Sequence, residues 1–151
     1  MKKCLAFLAV AVLVACFCVF PVSAQGSQDV LVSRTEDVLD NGDSVVIELY
    51  ESAAQLRTGK NGYKTLTYYN SGGSAIWAVT VNGSFTYNYG VSSTATGASA
   101  VVEIFNSNAT YISKNAYTSG NTATATGTVR YNTVSTTRSV SVSCDKYGNL
   151  Y

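Results

Sequence analysis

The chain has 151 residues, ten lysines and arginines against nine aspartates and glutamates, and no histidine. This length suits one domain with a modest core. The lack of histidine excludes Ser-His-Asp hydrolysis and histidine-based zinc sites, and the basic residues are scattered singly, which disfavours a nucleic-acid-binding surface. We therefore expect a protein that is not an enzyme and that carries no cofactor or metal ion.

Residues 1–24 have the organisation of a secretory signal peptide. Lys2 and Lys3 form a short cationic start, residues 5–20 are uniformly apolar, and small residues at the end of the stretch permit cleavage after Ala24. The apolar run is shorter than the roughly 20 residues that a membrane-spanning helix needs. We therefore expect a secreted, extracellular protein that is free of the membrane after signal removal.

A second processing signal lies inside the same run. Residues 13–16 read LVAC, the form of a bacterial lipobox, whose cysteine would be acylated and become the mature N-terminus. The alternative to free secretion is thus a lipoprotein anchored through Cys16. The residues that follow this cysteine are apolar rather than a polar tether, which favours free secretion.

Residues 25–62 form an acidic N-terminal segment. Between residues 25 and 51 seven acids stand against Arg34, a net charge of −6, whereas residues 52–151 have seven cations against two acids, a net charge of +5. The Asn41-Gly42 dipeptide predicts a hairpin turn with a return strand over residues 45–50, and a turn explains its acidic flanks more simply than a calcium loop does. Residues 52–62 are predicted to be a connector.

The stretch 77–89 predicts a single long strand. Its odd positions, from Trp77 onward, are mainly large and apolar, whereas its even positions are mostly small or polar, so the odd face is the core face. A hairpin turn at the Asn-Gly dipeptide within the stretch would place Val79 opposite Thr86, yet opposed residues share one face. We therefore predict an unbroken strand, kinked or bulged at Gly83, with Trp77 buried.

The Gly72-Gly73 dipeptide passes the same test as a turn. A two-residue loop there places Tyr68 opposite Trp77, so that apolar residues meet apolar residues on one side. Two glycines also suit a turn that requires positive φ at both central positions. The preceding strand and the Trp77 strand are thus predicted to form a hairpin.

Four further strands follow from alternation of apolar and polar residues, at about residues 99–106, 109–117, 122–131 and 140–144. The turn at Gly120-Asn121 precedes the third of them, and a turn over residues 145–149 closes the chain. Six strands at this spacing favour an all-β fold, an antiparallel immunoglobulin-like β-sandwich over residues 63–151. A small closed barrel is the rival architecture.

Three stretches carry a family resemblance: KTLTYYNSGGSAIWAVTVNGSFTYN, SGNTATATGTVRY and the closing VSVSCDKYGNL. They resemble a group of small secreted proteins of Gram-positive bacteria that have no known activity, over about residues 60–150. The resemblance implies the β-sandwich fold and export. Members of the group carry a second cysteine in the segment that matches residues 92–96, where it can bond to the terminal cysteine, but this chain has none there.

Cys144 is therefore the single cysteine of a chain cleaved after Ala24. An unpaired thiol in a secreted protein is a candidate reactive or bridging group, here for Cys144-linked self-association. Its position in the alternation matches Val140 and Val142, however, which predicts that it points into the core as a small apolar residue.

The eleven tyrosines exceed what one small core can bury, so some rings are expected at the surface. Tyr63 and Tyr69 have the opposite parity to Leu66 and are the candidates for outward rings that recognise a glycan or a protein. The function expected is that of a non-catalytic binding or interaction module with an extracellular or cell-surface partner. The alternatives are self-assembly through the Thr-Ala strand at residues 122–126, if it lies at a sheet edge, and a small antibacterial protein.

Overall fold

The computed structural model describes residues 28–53 and 58–151, so the predicted signal peptide and the lipobox at Cys16 lie outside the described residues. No helix in these ranges is long and apolar enough to cross a membrane. Their regular structure consists of β-strands: β1 (Val30–Val38), β2 (Ser44–Glu51), β3 (Gly59–Tyr69), β4 (Ala75–Asn88), β5 (Ser92–Ile104), β6 (Ala109–Ser119), β7 (Thr122–Tyr131) and β8 (Val134–Ser143).

The strands form two antiparallel sheets that pack face to face. The larger sheet has the order β1-β2-β3-β4-β5 and the smaller one the order β6-β7-β8, and the smaller sheet lies over β3, β4 and β5. Strands in both sheets follow chain order, whereas Greek-key connections characterise immunoglobulin sandwiches. The predicted all-β class with two antiparallel sheets is confirmed.

The acidic N-terminal segment supplies two strands of the larger sheet. Its turn has Gly42 at a φ of 82°, and β1 and β2 pair on either side of it, so the predicted Asn41-Gly42 hairpin is confirmed. The predicted connector over residues 52–62 is wrong in its last part, because β3 begins at Gly59. Residues 59–62 pair with β4, which satisfies backbone groups that a free connector would leave to water.

The β3–β4 hairpin has the predicted register but not the predicted turn. Tyr68 pairs with Trp77, yet the loop is longer than two residues, and of its two glycines only Gly73 has a positive φ, at 77°. The Asn70 side chain accepts a hydrogen bond from the backbone N–H of Ser74 at 2.9 Å. This capping stabilises the longer loop, and a register shift directly after Tyr68 accommodates the extra residues.

β4 is the long central strand that the alternation predicts. It runs without a turn through Gly83, and the register with β5 shifts just beyond this glycine, between Ser84 and Phe85, as a bulge does. Trp77 is 1% exposed. The predicted single strand and the predicted burial of its indole are confirmed.

The core lies where the smaller sheet covers the larger one. Its members include the odd-numbered residues of β4 and the alternate residues of β7 and β8, namely Trp77, Val79, Val81, Phe85, Ala123, Ala125, Val129, Val140 and Val142. Gly127 continues the β7 row, and its lack of a side chain is required there. A Cβ atom at Gly127 would lie 2.9 Å from Val102 Cγ2 and 3.3 Å from Trp77 Cζ3.

The Thr-Ala strand is not a sheet edge. It is part of β7, which pairs with β6 on one side and β8 on the other. Its threonine hydroxyls meet serines of β8, with Thr122 and Ser143 oxygens 2.7 Å apart and Thr124 and Ser141 oxygens 2.9 Å apart. The condition under which we expected this strand to template assembly is therefore not met, because both of its backbone edges are occupied.

The two ends of the sandwich differ. The turns β1–β2, β3–β4, β5–β6 and β7–β8 lie at one end, which we call the open end, and the other connections lie with residues 144–151 at the sealed end. At the sealed end Ser143 and Tyr151 exchange two backbone hydrogen bonds of 3.0 Å. Leu150, 6% exposed, thereby reaches the core. The predicted closing turn is confirmed by a backbone hydrogen bond of 2.9 Å that the Asp145 N–H donates to the Asn149 carbonyl oxygen.

Candidate functional site

A pocket of about 360 Å³ lies between the two sheets at the open end. Pockets of roughly 300–1,000 Å³ hold small ligands. Its lining combines aromatic, amide and charged side chains from the β1–β2 turn, from the middle of the larger sheet and from the β7–β8 hairpin, among them Asn41, Asp43, Tyr68, Trp77, Tyr131 and Arg138. The stacking of the two sheets thus brings together residues that are almost 100 positions apart in the chain.

Arg138 reaches the pocket from the smaller sheet. It lies on the same side of β8 as the buried Val140 and Val142, so its side chain points between the sheets. Its guanidinium carbon is 5.8 Å from the centroid of the Tyr68 ring, a cation–π contact. Its Nε atom is buried and has no hydrogen-bond partner among the described residues. A buried donor without an acceptor costs about 1–3 kcal/mol, so Arg138, which lines the pocket, is held there at a cost in stability.

Gly127 provides the space beside this arginine. It pairs with Arg138 across the β7–β8 ladder, and directly opposed residues share a face. Because Gly127 has no side chain, the Trp77 ring packs against the β7 backbone at this level. Trp77 and Tyr68 in turn pack against each other, with centroids 6.4 Å apart and ring planes at 33°. The aromatic floor of the pocket therefore depends on a glycine in the opposite sheet.

A hydrogen-bonded cluster forms the opposite wall. The Tyr68 hydroxyl donates to the Asp43 carboxylate, and Asn41 Nδ2 donates to the same carboxylate oxygen at 2.7 Å. Burial raises the pKa of the Tyr68 phenol, and the hydrogen bond to Asp43 raises it further. The phenol therefore stays protonated and holds the Asp43 carboxylate in place. Asn41, which the sequence places in the β1–β2 hairpin turn, thus also orients the Asp43 carboxylate.

The arrangement offers groups that can bind a polar ligand. Asp43 is the one carboxylate in the pocket lining, and the chain has no histidine that could act as a base beside it. Within residues 28–53 and 58–151 no group of three or more histidine, cysteine or acidic side chains could hold a metal ion. What the pocket offers is a guanidinium, amides and a fixed carboxylate around aromatic rings.

Tyr63 and Tyr69 lie on the outer face of the larger sheet, as their parity predicts, and away from the pocket. Tyr63 stacks on Tyr50, with centroids 4.9 Å apart and planes at 15°, and it lines a shallow groove with Glu103. Burial raises the pKa of Tyr63, and the Asp29 carboxylate raises it further. Tyr69 lines a different groove. The structure therefore does not bring the two predicted recognition residues into one site, and their role in recognition stays a prediction.

Cys144 lies at the sealed end, far along β8 from the pocket. Its side chain is 0% exposed, so the predicted core-facing orientation is confirmed. Burial raises the pKa of the thiol, and the Asp145 carboxylate raises it further, which keeps it in the less reactive thiol form. Its carbonyl accepts hydrogen bonds from Ser93 Oγ at 2.5 Å and from Asn121 Nδ2 at 2.7 Å. A reactive or bridging role for Cys144 stays a prediction that requires the C-terminal residues to move.

Sequence reasoning missed Arg138, although the sequence contains a signal for it. Arg138 has the parity of Val140, Val142 and Cys144, so the alternation that places those residues in the core also places a charged residue there. A charge at a core position is uncommon and calls for a partner or a function. Asp43 gives no such signal, because its contact with Tyr68 depends on how the β1–β2 turn meets β3.

The chain matches no protein-family model, and neither a curated protein nor a solved structure matches it at a significant level.

Proposed function

We propose that the protein is a non-catalytic extracellular binding module and that its ligand binds in the pocket at the open end. The observation that carries this proposal is Arg138, whose side chain lines a cavity of ligand size and whose buried Nε atom has no acceptor among the described residues. A ligand carboxylate in the cavity would bind the guanidinium. Export through the signal peptide belongs to the same proposal, as does an immunoglobulin-like sandwich in the packing of its two sheets, although its strands follow chain order without Greek-key connections.

The ligand class proposed is a small saccharide that carries a carboxylate. A guanidinium recognises a carboxylate through charge-assisted hydrogen bonds, the Asn41 and Asn132 amides and the Asp43 carboxylate suit sugar hydroxyls, and the aromatic rings of the lining suit the apolar faces of a sugar. Tyr68 and Asn41 donate to the Asp43 carboxylate and fix its orientation.

The test uses glucuronate as the probe and glucose as its neutral counterpart. The full chain is expressed, the mature N-terminus is defined by mass spectrometry, and binding is followed by amide chemical-shift changes in NMR titrations. We expect glucuronate to bind at least about tenfold more tightly than glucose, since a hydrogen bond to a charged group contributes about 1.5–3 kcal/mol. The shift changes should centre on the β1–β2 turn and the β7–β8 hairpin.

Arg138→Gln is the informative variant and Arg130→Gln its matched control. Arg130 is an exposed arginine on the neighbouring strand, so its substitution changes the net charge equally and leaves the pocket intact. We expect Arg138→Gln to abolish the preference for glucuronate and Arg130→Gln to retain it. Equal binding of both sugars by the native protein, or shift changes centred on Tyr63 or Tyr69, would contradict the proposal.

A further inference from the structure

β1 is the most exposed strand of the larger sheet, and its outer edge has no partner among the described residues. Each of its nine residues is exposed, and β1 pairs with β2 on one side only. Val32 is 46% and Val38 75% exposed. Proteins usually protect such an edge, because its free N–H and C=O groups template pairing with another strand.

The charges of β1 distinguish it from the other edge strands. β5, β6 and β8 carry one charged residue each, Glu103, Lys114 and Arg138. None of these three strands can therefore place opposite charges against a second copy of itself. β1 carries both signs within four residues, Arg34 followed by Glu36 and Asp37.

We propose that β1 pairs antiparallel with β1 of a second copy of this chain, about a two-fold axis at Thr35. Strands paired through the same edge about such an axis are centred on a residue, because each residue that points its N–H and C=O outward must oppose another of that kind. A centre at Arg34 or at Glu36 places like charges directly opposite each other. A centre at Thr35 places Arg34 of each copy opposite Glu36 of the other, and Ser33 opposite Asp37.

The side chain of Arg34 can serve this contact without losing its present one. It donates to Glu48 at 3.0 Å and remains 55% exposed. The Glu36 side chain is exposed and forms no hydrogen bond or ion pair with another described residue. In the dimer the guanidinium lies between Glu48 of its own chain and Glu36 of the second copy, and its five donors suffice for both. The two larger sheets then form one continuous ten-stranded sheet, with the pockets unaffected at the open ends.

The interface is small, since it consists of one strand edge from each copy, so the dimer is weak and salt-sensitive. Sedimentation velocity of the purified protein at low salt, over rising concentrations, is expected to show a monomer–dimer equilibrium that shifts to monomer when salt is added. A native protein that stays monomeric throughout, or one that grows beyond a dimer, overturns the proposal.

Charge reversal provides a sharper test. Glu36→Arg gives a chain with two arginines and Arg34→Glu gives a chain with two glutamates, so each variant opposes like charges in its own dimer and is expected to dimerise at least about tenfold more weakly. In an equimolar mixture of the two variants, residues 34 and 36 of one chain lie opposite residues of the opposite charge in the other chain. The mixture is therefore expected to restore the dimer. Failure of the mixture to associate, while both variants remain folded by thermal unfolding, overturns the proposed register.

Two further variants cover the remaining outcomes. Arg34→Glu loses the bond between residue 34 and Glu48, so this variant could fail to fold. In that case Thr35→Lys is used in its place. Its lysine lies on the two-fold axis, opposite the same lysine of the second copy, and is expected to weaken the dimer. Lys114→Glu, on the exposed edge strand β6, is the control and is expected to leave the dimer intact. A dimer that Lys114→Glu disrupts instead would show that β1 pairs head-to-tail with β6, and the two-fold contact is then wrong.

Discussion

The two ends of the sandwich differ in how the core is covered. Both must terminate a core made by two sheets of unequal size. At the sealed end the C-terminal residues return and pair with Ser143, Leu150 fills the gap, and Cys144 is fully buried. At the open end none of the described residues returns over the core, and the gap is lined by Arg138, Tyr68 and neighbouring polar side chains.

The difference separates residues that stabilise the fold from residues that cost stability. The sealed end consists of apolar side chains and of backbone groups that are hydrogen-bonded. The Asp145 carboxylate there is hydrogen-bonded too, and the bonds from the Asn149 side chain and backbone lower its pKa. The open end contains a buried guanidinium nitrogen, Arg138 Nε, with no acceptor in the part of the chain that the structure describes. Sites that bind ligands often retain such costs, so the two ends should respond oppositely to apolar truncation and to removal of charge.

The largest effect is expected from Leu150→Ala at the sealed end. Leu150 is nearly buried and belongs to the core cluster, and truncation of a buried leucine costs about 2–5 kcal/mol. We expect the free energy of unfolding to fall by about 2–4 kcal/mol, measured by urea denaturation. The expected loss is below the top of the range because the short C-terminal segment can shift and partly fill the cavity.

Val134→Ala is the control for this truncation. Val134 lies at the start of β8 at the open end and is 64% exposed, so its loss should change the free energy of unfolding by less than about 0.5 kcal/mol. If Leu150→Ala is equally mild, the C-terminal residues do not stabilise the core, and the description of this end as sealed is wrong.

A smaller effect is expected from alkaline pH, again at the sealed end. Burial raises the pKa of Cys144 above its ordinary value of 9.0, and Asp145 raises it further. Between the ordinary and the raised pKa the unfolded chain has released the thiol proton while the native chain retains it. The free energy of unfolding therefore falls as pH rises through this window, by at most about 1.4 kcal/mol per pH unit for this one group.

The comparison of native protein with Cys144→Ala isolates the thiol. Urea denaturation under reducing conditions at about pH 8 and pH 10, on either side of the ordinary thiol pKa, should show a larger alkaline loss for the native protein than for the variant. The pKa of Tyr68 is also raised, but this group is present in both proteins and cancels. Equal losses in the two proteins would mean that the native thiol ionises as an exposed one does.

Alternation along strands predicted the larger part of the fold and little of the pocket. It predicted β4 as one strand and predicted that Trp77 and Cys144 point into the core, because side chains on a pleated strand alternate whatever surrounds them. It did not predict the Asn70 cap, which depends on one side chain folding back on its own loop. β5 begins at Ser92, earlier than predicted, because its first residues are small and polar on both faces and show no alternation.

The pocket was missed for a different reason. Asn41, Asp43, Asn132 and Arg138 come from two hairpins that are distant in the chain, and only the stacking of the two sheets brings them together. Nothing in the local pattern of either hairpin specifies which turn of the other sheet it will face. Arg138 alone carried a local signal, a charge at core parity, whereas Tyr63 and Tyr69 were chosen for their outward parity and lie in separate grooves.

The smallest effect, and the one of opposite sign, is expected from Arg138→Leu at the open end. Removing the buried Nε atom relieves about 1–3 kcal/mol, while the lost contact with the Tyr68 ring costs about 0.5–2 kcal/mol, and leucine retains part of the packing of the arginine stem. We expect the free energy of unfolding to stay unchanged or to rise by up to about 1 kcal/mol, measured by urea denaturation beside Arg130→Leu. A loss greater than about 1 kcal/mol would mean that Arg138 stabilises the sandwich and is not retained at a cost in stability for a ligand.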